Sequence, residues 1–296
     1  NYLPGETVGI LPKNPASEVN SLLECLGLVN KQSKFLETSI CPKTTKKKAA
    51  VPNYIPKIST IKDILETCVE IRAVPKKVFL RALSECASDS REKRRLAELC
   101  SREGWADYNE HIVEARRTLL DILQCFSSCS PPFSLLLEHL PRLCPRPYSI
   151  ASSPLKCSDK IRVVLSVVET ADGKRGVCSD WLHQTCQPLL DLSAKFELLQ
   201  ISQNSPKVQI PLFLRKSSDF RVPEDVCIPL VMIGPGTGVA PFIGFLEHRQ
   251  LQCENTKLNQ DNWLFFGCRY KEKDFIFKLV FLKTDSRHFC GVTLKK

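Results

Sequence analysis

No run of apolar residues in the 296-residue chain approaches the roughly 18–20 that a bilayer-crossing helix needs, which excludes a helical membrane span. Although the chain carries fifteen cysteines, it has no Cys-x-x-Cys pair and no Cys/His cluster at zinc spacing, so a structural zinc site and a dithiol redox motif drop out. The nearest pair, Cys125 and Cys129, stands at i, i+4 near the end of an apolar helical pattern and suits two small buried hydrophobes. An odd cysteine count, with no basic-then-apolar leader from Asn1 to Thr7, predicts free thiols in a reducing cytoplasm. The initiator Met is also missing, and the chain reads as cut from something longer. Internal repeats and low-complexity stretches are absent. No Ser or Cys nucleophile stands in a catalytic context with His139, His183 or His248, so a hydrolase is excluded and these histidines are expected on helix surfaces.

What remains is ordinary globular usage, with 43% hydrophobic and 25% charged residues, and length enough for two or three domains at ~100–200 residues each. Lys and Arg exceed Asp and Glu by 42 − 32 = 10, a balance that suits an anionic ligand or an acidic partner surface without arguing for nucleic acid. The run Lys46 to Lys48 lies between Pro42 and Pro52 and reads as a solvated loop; Arg91 to Arg102 reads as a solvated helix face, with docking as the alternative. Trp181 and Trp263 are expected in a core or sheet wall.

Periodicity divides the chain. Val8, Ile10 and Leu11 follow a Pro-Gly turn as a short strand, and Ser17 is expected to cap a helix through Leu22, Leu23 and Leu26. Residues 31–57 are proline- and lysine-rich and aperiodic. From Thr60 to Leu140 the pattern is helical throughout: Asp89 with Glu92 opens one helix, and the longest is expected from about Ala106 through Phe126. After Pro147 the period changes, and Ile161–Glu169, Lys195–Ile201 and Lys207–Leu214 read as short strands of an antiparallel barrel or sandwich. Ile228–Ile233 is an apolar strand followed by Gly234-Pro-Gly-Thr-Gly238, a helix from Ala240 and a further strand from Trp263, the βαβ unit of a parallel nucleotide-binding sheet.

Three segments carry candidate chemistry. The glycines from Gly234 to Gly238 let the backbone turn tightly toward a phosphate at a helix N-terminus; without Gly-Lys-[Ser/Thr] this is not a P-loop. Arg146-Pro-Tyr148-Ser149-Ile-Ala-Ser152 combines a permanent cation, an aromatic face and hydroxyls, suited to a planar cofactor bearing phosphate. In Gly176-Val-Cys178-Ser179, Ser179 is expected to cap a helix from Asp180 and to offer donors to an anion.

With these motifs in this order, and with the flanking segments IRAVPKKVFLRAL, SDSREKRRLAELCS, LFLRKSSDFRVP and WLFFGCRYKEKDF, the chain resembles the ferredoxin–NADP reductase module of the diflavin reductase family over about residues 1–277. The resemblance implies multidomain α+β and α/β architecture: an antiparallel FAD-binding β-barrel (residues 1–58 and 141–225) with an inserted all-helical connecting domain (59–140), then a partial parallel-sheet NADP-binding domain (226–277) and a divergent tail (278–296). It implies FAD contacts at Arg146, Tyr148, Ser149 and Ser152, at Val164, Leu165 and Ser166, and at Gly176, Val177, Cys178 and Ser179. NADPH contacts are implied at Gly234, Gly236, Thr237, Gly238, Gly267, Cys268 and Arg269, with Ser149 and Cys268 next to the reacting centres and no metal. The implied activity is hydride transfer from NADPH to FAD, with FMN in a flavodoxin-like partner domain as the next carrier. The branch most resembled delivers electrons to cobalamin on methionine synthase, the implied partner. The chain is expected to begin inside the barrel and to depart from the family after Phe277, where Cys290-Gly291 is taken as a chance match. The alternative reading is a cofactor- or partner-binding fragment without turnover.

Overall fold

The architecture is that of a computed structural model describing residues 2–40, 42, 44, 47–170, 173–196, 208–217, 219–253, 262–270, 272, 274–277 and 289–293. Two compact units emerge: Pro12–Cys144, and Asn1–Leu11 together with Pro145–Lys296. Strand β1 (Thr7–Ile10) opens the second of these before the chain enters the first.

The Pro12–Cys144 unit is helical, with one two-stranded ribbon. Helix α1 (Ala16–Cys25) is followed by the ribbon of β2 (Phe35–Glu37) and β3 (Ile58–Thr60), paired antiparallel, and then by α2 (Ile61–Thr67), α3 (Lys77–Ser84) and α4 (Ser90–Cys100). Next come α5 (Trp105–Tyr108), α6 (Leu119–Cys125) and α7 (Phe133–His139). Leu22, Ile64, Leu80, Leu96, Leu119 and Leu136, all at 0% exposure, come from six of these helices and form one core, so apolar periodicity becomes a shared interior. Residues 12–58, expected with the first part of a barrel, pack here, because α1 buries Val19, Leu22 and Leu23 in the helical core. Asn14 adds a polar tie: its Nδ2 donates at 2.7 Å to both Leu65 O and Val69 O, satisfying carbonyls at the end of α2.

Caps set the boundaries. The Asp89 carboxylate accepts from Arg91 N and Glu92 N at 2.9 Å and opens α4 as expected. Ser17 does not cap α1, which starts one residue earlier at Ala16. The long helix expected from Ala106 is broken: a π-helical stretch (Asn109–Glu114) ends with Arg116 at φ 48° and Arg117 N donating to Ile112 O at 3.0 Å, a left-handed stop. Thr118 and Asp121 then restart the chain as α6 with a reciprocal capping box.

In the other unit, β1 is the centre of an antiparallel sheet between β4 (Arg146–Ser149) and β5 (Leu212–Arg215). Ile161–Glu169, expected as a strand, touches its neighbours through single bridges at Val163–Ile150 and Glu169–Arg175. Helix α8 (Val177–Phe196) follows; it already holds Lys195 and Phe196, which were expected to begin a strand, and 197–201 lie outside the described residues. Among the described residues the antiparallel sheet has three strands and is not a closed barrel. The parallel sheet contains β6 (Val231–Ile233), β7 (Trp263–Cys268) and β8 (Phe289–Thr293) in that order, with α9 (Ala240–Cys253) crossing between β6 and β7. Cys290 and Gly291, taken as a chance match, lie on β8 in register with Phe265 and Phe266. Met232, Val239, Ile243, Leu264 and Phe266 bury the face beneath α9. Thirteen of the cysteines are free thiols, and no helix among the described residues is long and apolar enough to cross a membrane.

Candidate functional site

Strand alternation sorts the Arg146–Ser149 motif into two faces. Arg146 pairs with Ile10 and Tyr148 with Val8, and Val8 and Ile10 are both buried, so the cation and the aromatic ring share the side that meets the core cluster of Tyr2, Ile150, Cys178 and Leu182. Ser149 pairs with Thr7 on the opposite face. On that face the Phe213 ring of β5 lies across Gly9, where an added Cβ would fall 2.5 Å from the ring, so glycine is required for this close approach. Phe213, 44% exposed and unflagged by any motif, is therefore a large aromatic surface on Ser149's side of the sheet.

Ser152 is committed internally. Its hydroxyl lies 2.7 Å from the Tyr2 hydroxyl and accepts from Arg162 N at 3.1 Å, and the residue is 5% exposed. Val164 and Leu165 are half-buried and Ser166 is exposed, with Leu165 packing on the Tyr2 cluster.

The Gly176–Ser179 segment forms the start of α8. Because the helix begins at Val177 rather than Asp180, Ser179 sits within its first turn and is not its N-cap. Its hydroxyl accepts from Val168 N at 3.2 Å and donates to Gly176 O at 3.3 Å, while Gly176 N donates to Val168 O at 2.8 Å. These bonds pin the helix start to the extended 161–169 segment. The first bond within the helix runs from Asp180 N to Gly176 O, so the amides ahead of it form the positive end of a long helix.

Arg146, Tyr148 and Cys178, expected as FAD contacts from two separate motifs, are brought together around one core. Burial pushes the Tyr148 phenol well above its ordinary range, helped by a hydrogen bond with Cys178 and opposed by Arg146. Burial likewise raises the Cys178 thiol, which the Tyr148 bond and Arg146 partly offset. Both groups are neutral at pH 7 and leave Arg146 as the local charge.

The second cluster of motifs lies at the carboxyl edge of the parallel sheet. Gly234 N donates to Phe265 O at 2.9 Å as the chain leaves β6, and Gly238 N closes the turn on Pro235 O at 3.0 Å. Gly234 is buried; a Cβ there would stand 2.7 Å from Gly238 O and 2.8 Å from Val239 Cα. Gly236 takes φ 55° in open space, and Thr237 and Gly238 are exposed. Residues 236–239 form a 3-10 turn leading directly into α9. Since Ile233 is level with Phe265, the last residues of β7, Gly267 and Cys268, and the following Arg269 project past the same edge. This is where open α/β sheets take their ligands. Among the described residues no hydrogen bond links Ser149 to Cys268, and no His/Cys/Asp/Glu group could hold a metal.

The histidines divide three ways. His183 is exposed as expected, and half-buried His139 stacks on Phe79 at 4.9 Å. His248 is buried rather than on the helix surface, its Nδ1 lying 2.9 Å from Ser153 Oγ, and burial lowers its pKa. Trp181 packs on the Tyr2 cluster, and Trp263, 37% exposed, stacks on Phe265.

Comparison with known proteins places these two clusters in two matched families. Residues 1–181 match the family described as FAD binding domain, and residues 232–288 match the oxidoreductase NAD-binding domain. The second match passes Phe277 by eleven residues and extends the resemblance beyond its expected end. The chain is 44% identical over 297 residues to methionine synthase reductase of Rattus norvegicus, covering 98% of the chain and 42% of that protein. It is 44% identical over 301 residues to methionine synthase reductase of Homo sapiens, with the same two shares, 98% and 42%. Identity to NADPH–cytochrome P450 reductase of Sus scrofa is 33% over 283 residues, covering 94% of the chain and 39% of that protein. The chain thus spans about two fifths of the length of the curated relatives it matches.

Proposed function

Because the chain belongs to the FAD binding domain family, we propose that it is the FAD- and NADPH-binding module of a diflavin reductase of the methionine synthase reductase type. The observation that carries the reading is the pairing of an Arg146–Tyr148–Cys178 cluster at the start of α8 with a glycine turn at the start of α9, both within one unit. Each pairs a planar or cationic surface with helix N-terminal donors, the combination that a dinucleotide carrying a pyrophosphate needs.

The residues present fit both groups. Gly236 in the left-handed region and the crowding around Gly234 leave a turn without side chains at the head of α9, where a pyrophosphate would be received. Arg146 would neutralise the FAD pyrophosphate, aided by the first-turn amides of Val177, Cys178 and Ser179. Tyr148 would flank the flavin and ribityl region, with Val164, Leu165 and Ser166 along its edge; Ser149, on the opposite face of the strand, is assigned to the neighbourhood of flavin N5 by the family resemblance alone. Ser152 would act through Tyr2 and Arg162 rather than by touching cofactor. Gly234, Gly236, Thr237 and Gly238 would hold the NADPH pyrophosphate, with Gly267, Cys268 and Arg269 bordering the nicotinamide side. When bound, NADPH and FAD supply hydride donation and acceptance; the chain's own residues supply charge, orientation and exclusion of water.

On this reading the antiparallel sheet is part of an FAD-binding barrel, the Pro12–Cys144 unit serves as the connecting domain, and electrons pass to FMN in a flavodoxin-like domain and then to cobalamin on methionine synthase in the cytoplasm. Anaerobic mixing of the FAD-loaded chain with NADPH tests the proposal. Prompt loss of oxidised-flavin absorbance is expected. Flavin that stays oxidised at saturating NADPH refutes the reductase reading, and failure to retain FAD refutes the cofactor assignment.

A further inference from the structure

Helix α9 is fastened to the segment immediately downstream of Ser149 by polar contacts that none of the cofactor assignments use. The Glu247 side chain, 8% exposed, accepts from Lys156 Nζ and Arg162 Nη1 at 2.9 Å each and from Ser153 N at 3.3 Å. Arg162 also donates from Nη1 to Ala151 O at 3.3 Å and from its backbone N to Ser152 Oγ at 3.1 Å. On the same helix face, at i, i+3 and i+4, Gly244, Glu247 and His248 all meet this segment. A Cβ on Gly244 would stand 3.1 Å from Ser152 O and 3.3 Å from Ile150 O, and His248 Nδ1 meets Ser153 Oγ.

The placement matters more than the number of bonds. One end of the 146–153 stretch bears the proposed flavin contacts, and its other end is bonded to α9. The N-terminus of α9 continues the Gly234–Gly238 turn. One short strand and one helix therefore lie between the two cofactor sites, and Glu247 is the charged group where they cross. A buried carboxylate between two cations is a costly way to gain stability compared with an apolar seam, but it fixes direction and register. Hydride transfer demands that register: reacting atoms must approach to about 3–3.5 Å, and a misplacement of about 1 Å costs on the order of 100-fold in rate.

We propose that Glu247 is a positioning residue, which through Arg162, Lys156 and Ser153 sets the register of α9 against residues 150–153 and so aligns the nucleotide turn with Ser149. The alignment part rests on the reductase reading; the register part does not.

Two measurements on the full chain separate them. Hydrogen–deuterium exchange without ligand compares the parent with Glu247→Gln. Expected is a tenfold or greater acceleration both at 150–153 and at the 234–239 turn, with the helical unit unchanged; acceleration confined to 150–162, or none, overturns the proposal. Anaerobic flavin bleaching by NADPH then compares the FAD-loaded proteins. The limiting rate is expected to fall at least tenfold in Glu247→Gln, with half-saturating NADPH within twofold and FAD content unchanged. A loss that merely tracks lost FAD or lost folded protein overturns the alignment role. Should Glu247→Gln not fold, Arg162→Met and Lys156→Met make both comparisons, since these side chains are 44% and 55% exposed and leave no buried void. A parent that does not bleach refutes the reductase reading, and the exchange comparison still decides the register.

Discussion

Three glycines in one turn should respond to the same substitution in three different ways. At Gly234 an alanine Cβ meets only backbone: Gly238 O at 2.7 Å, Val239 Cα at 2.8 Å and Gly238 C at 2.9 Å. None of these is a flexible side-chain end, so relief requires the turn to open, and the cost lies at the upper end of overpacking, about 2–3 kcal/mol. At Gly236 there is open space but φ is 55°, so Gly236→Ala carries the left-handed backbone penalty alone, about 1–2 kcal/mol. At Gly238 the nearest atom is Pro235 Cδ at 3.8 Å, an ordinary contact, and alanine should be neutral or stabilise by up to about 1 kcal/mol through the unfolded chain. At roughly 2–4 °C per kcal/mol for a unit of this size, Gly234→Ala should lower the unfolding midpoint by about 4–12 °C, Gly236→Ala by about half as much, and Gly238→Ala hardly at all. Differential scanning calorimetry of the three variants, with NADP⁺ binding by titration calorimetry, checks the order. Equal effects, or Gly238→Ala as the worst, would refute the steric reasoning for this turn.

Ser152→Ala leaves the buried Tyr2 hydroxyl and Arg162 amide without their shared partner, and should destabilise by about 1–3 kcal/mol in urea unfolding; a change below about 0.5 kcal/mol would remove Ser152 from the fold's polar framework. Arg146→Gln removes a charge-assisted contact worth about 1.5–3 kcal/mol, so FAD affinity, read by fluorescence quenching, should fall about 10- to 100-fold; unchanged affinity would reassign Arg146. Burial holds the folded His248 pKa below its ordinary value of 6.5, so below pH 6.5 the unfolded chain binds the extra proton and stability falls with falling pH until the folded pKa is passed. His248→Gln should flatten unfolding free energy over that window, and an identical pH profile would place the acid sensitivity elsewhere.

Much of the fold was legible because it is locally encoded. Asp89 with Glu92 marks the start of α4 since the cap satisfies amides within one turn, and the apolar strand before Gly234 followed by an apolar helix specifies βαβ by its own period. The Gly234–Gly238 turn was legible for a related reason: a strand that turns tightly into a helix needs glycines in immediate succession with the helix N-terminus. Ser179 was misread as an N-cap because the capping pattern cannot show that its hydroxyl turns to Val168 N, eleven residues away. The long helix expected from Ala106 failed because apolar periodicity runs on through Arg116, where a left-handed residue interrupts the backbone without any glycine to signal it.

The amino-acid sequence by itself determined the helical character of the stretch after Thr60, the strand–turn–helix–strand order around Gly234, the glycine turns and the class of cofactor the chain suits, because each depends on residues within a turn or two of one another. Tertiary structure alone decided that residues 12–58 join the helices, that Ser152 serves Tyr2 rather than the surface, and that Glu247 and His248 are buried against a segment 85 to 95 residues away in the chain. Those outcomes turn on which surfaces exclude water from which side chains. A helix carrying Glu-His-Arg in succession reads as solvated until another segment is laid across it.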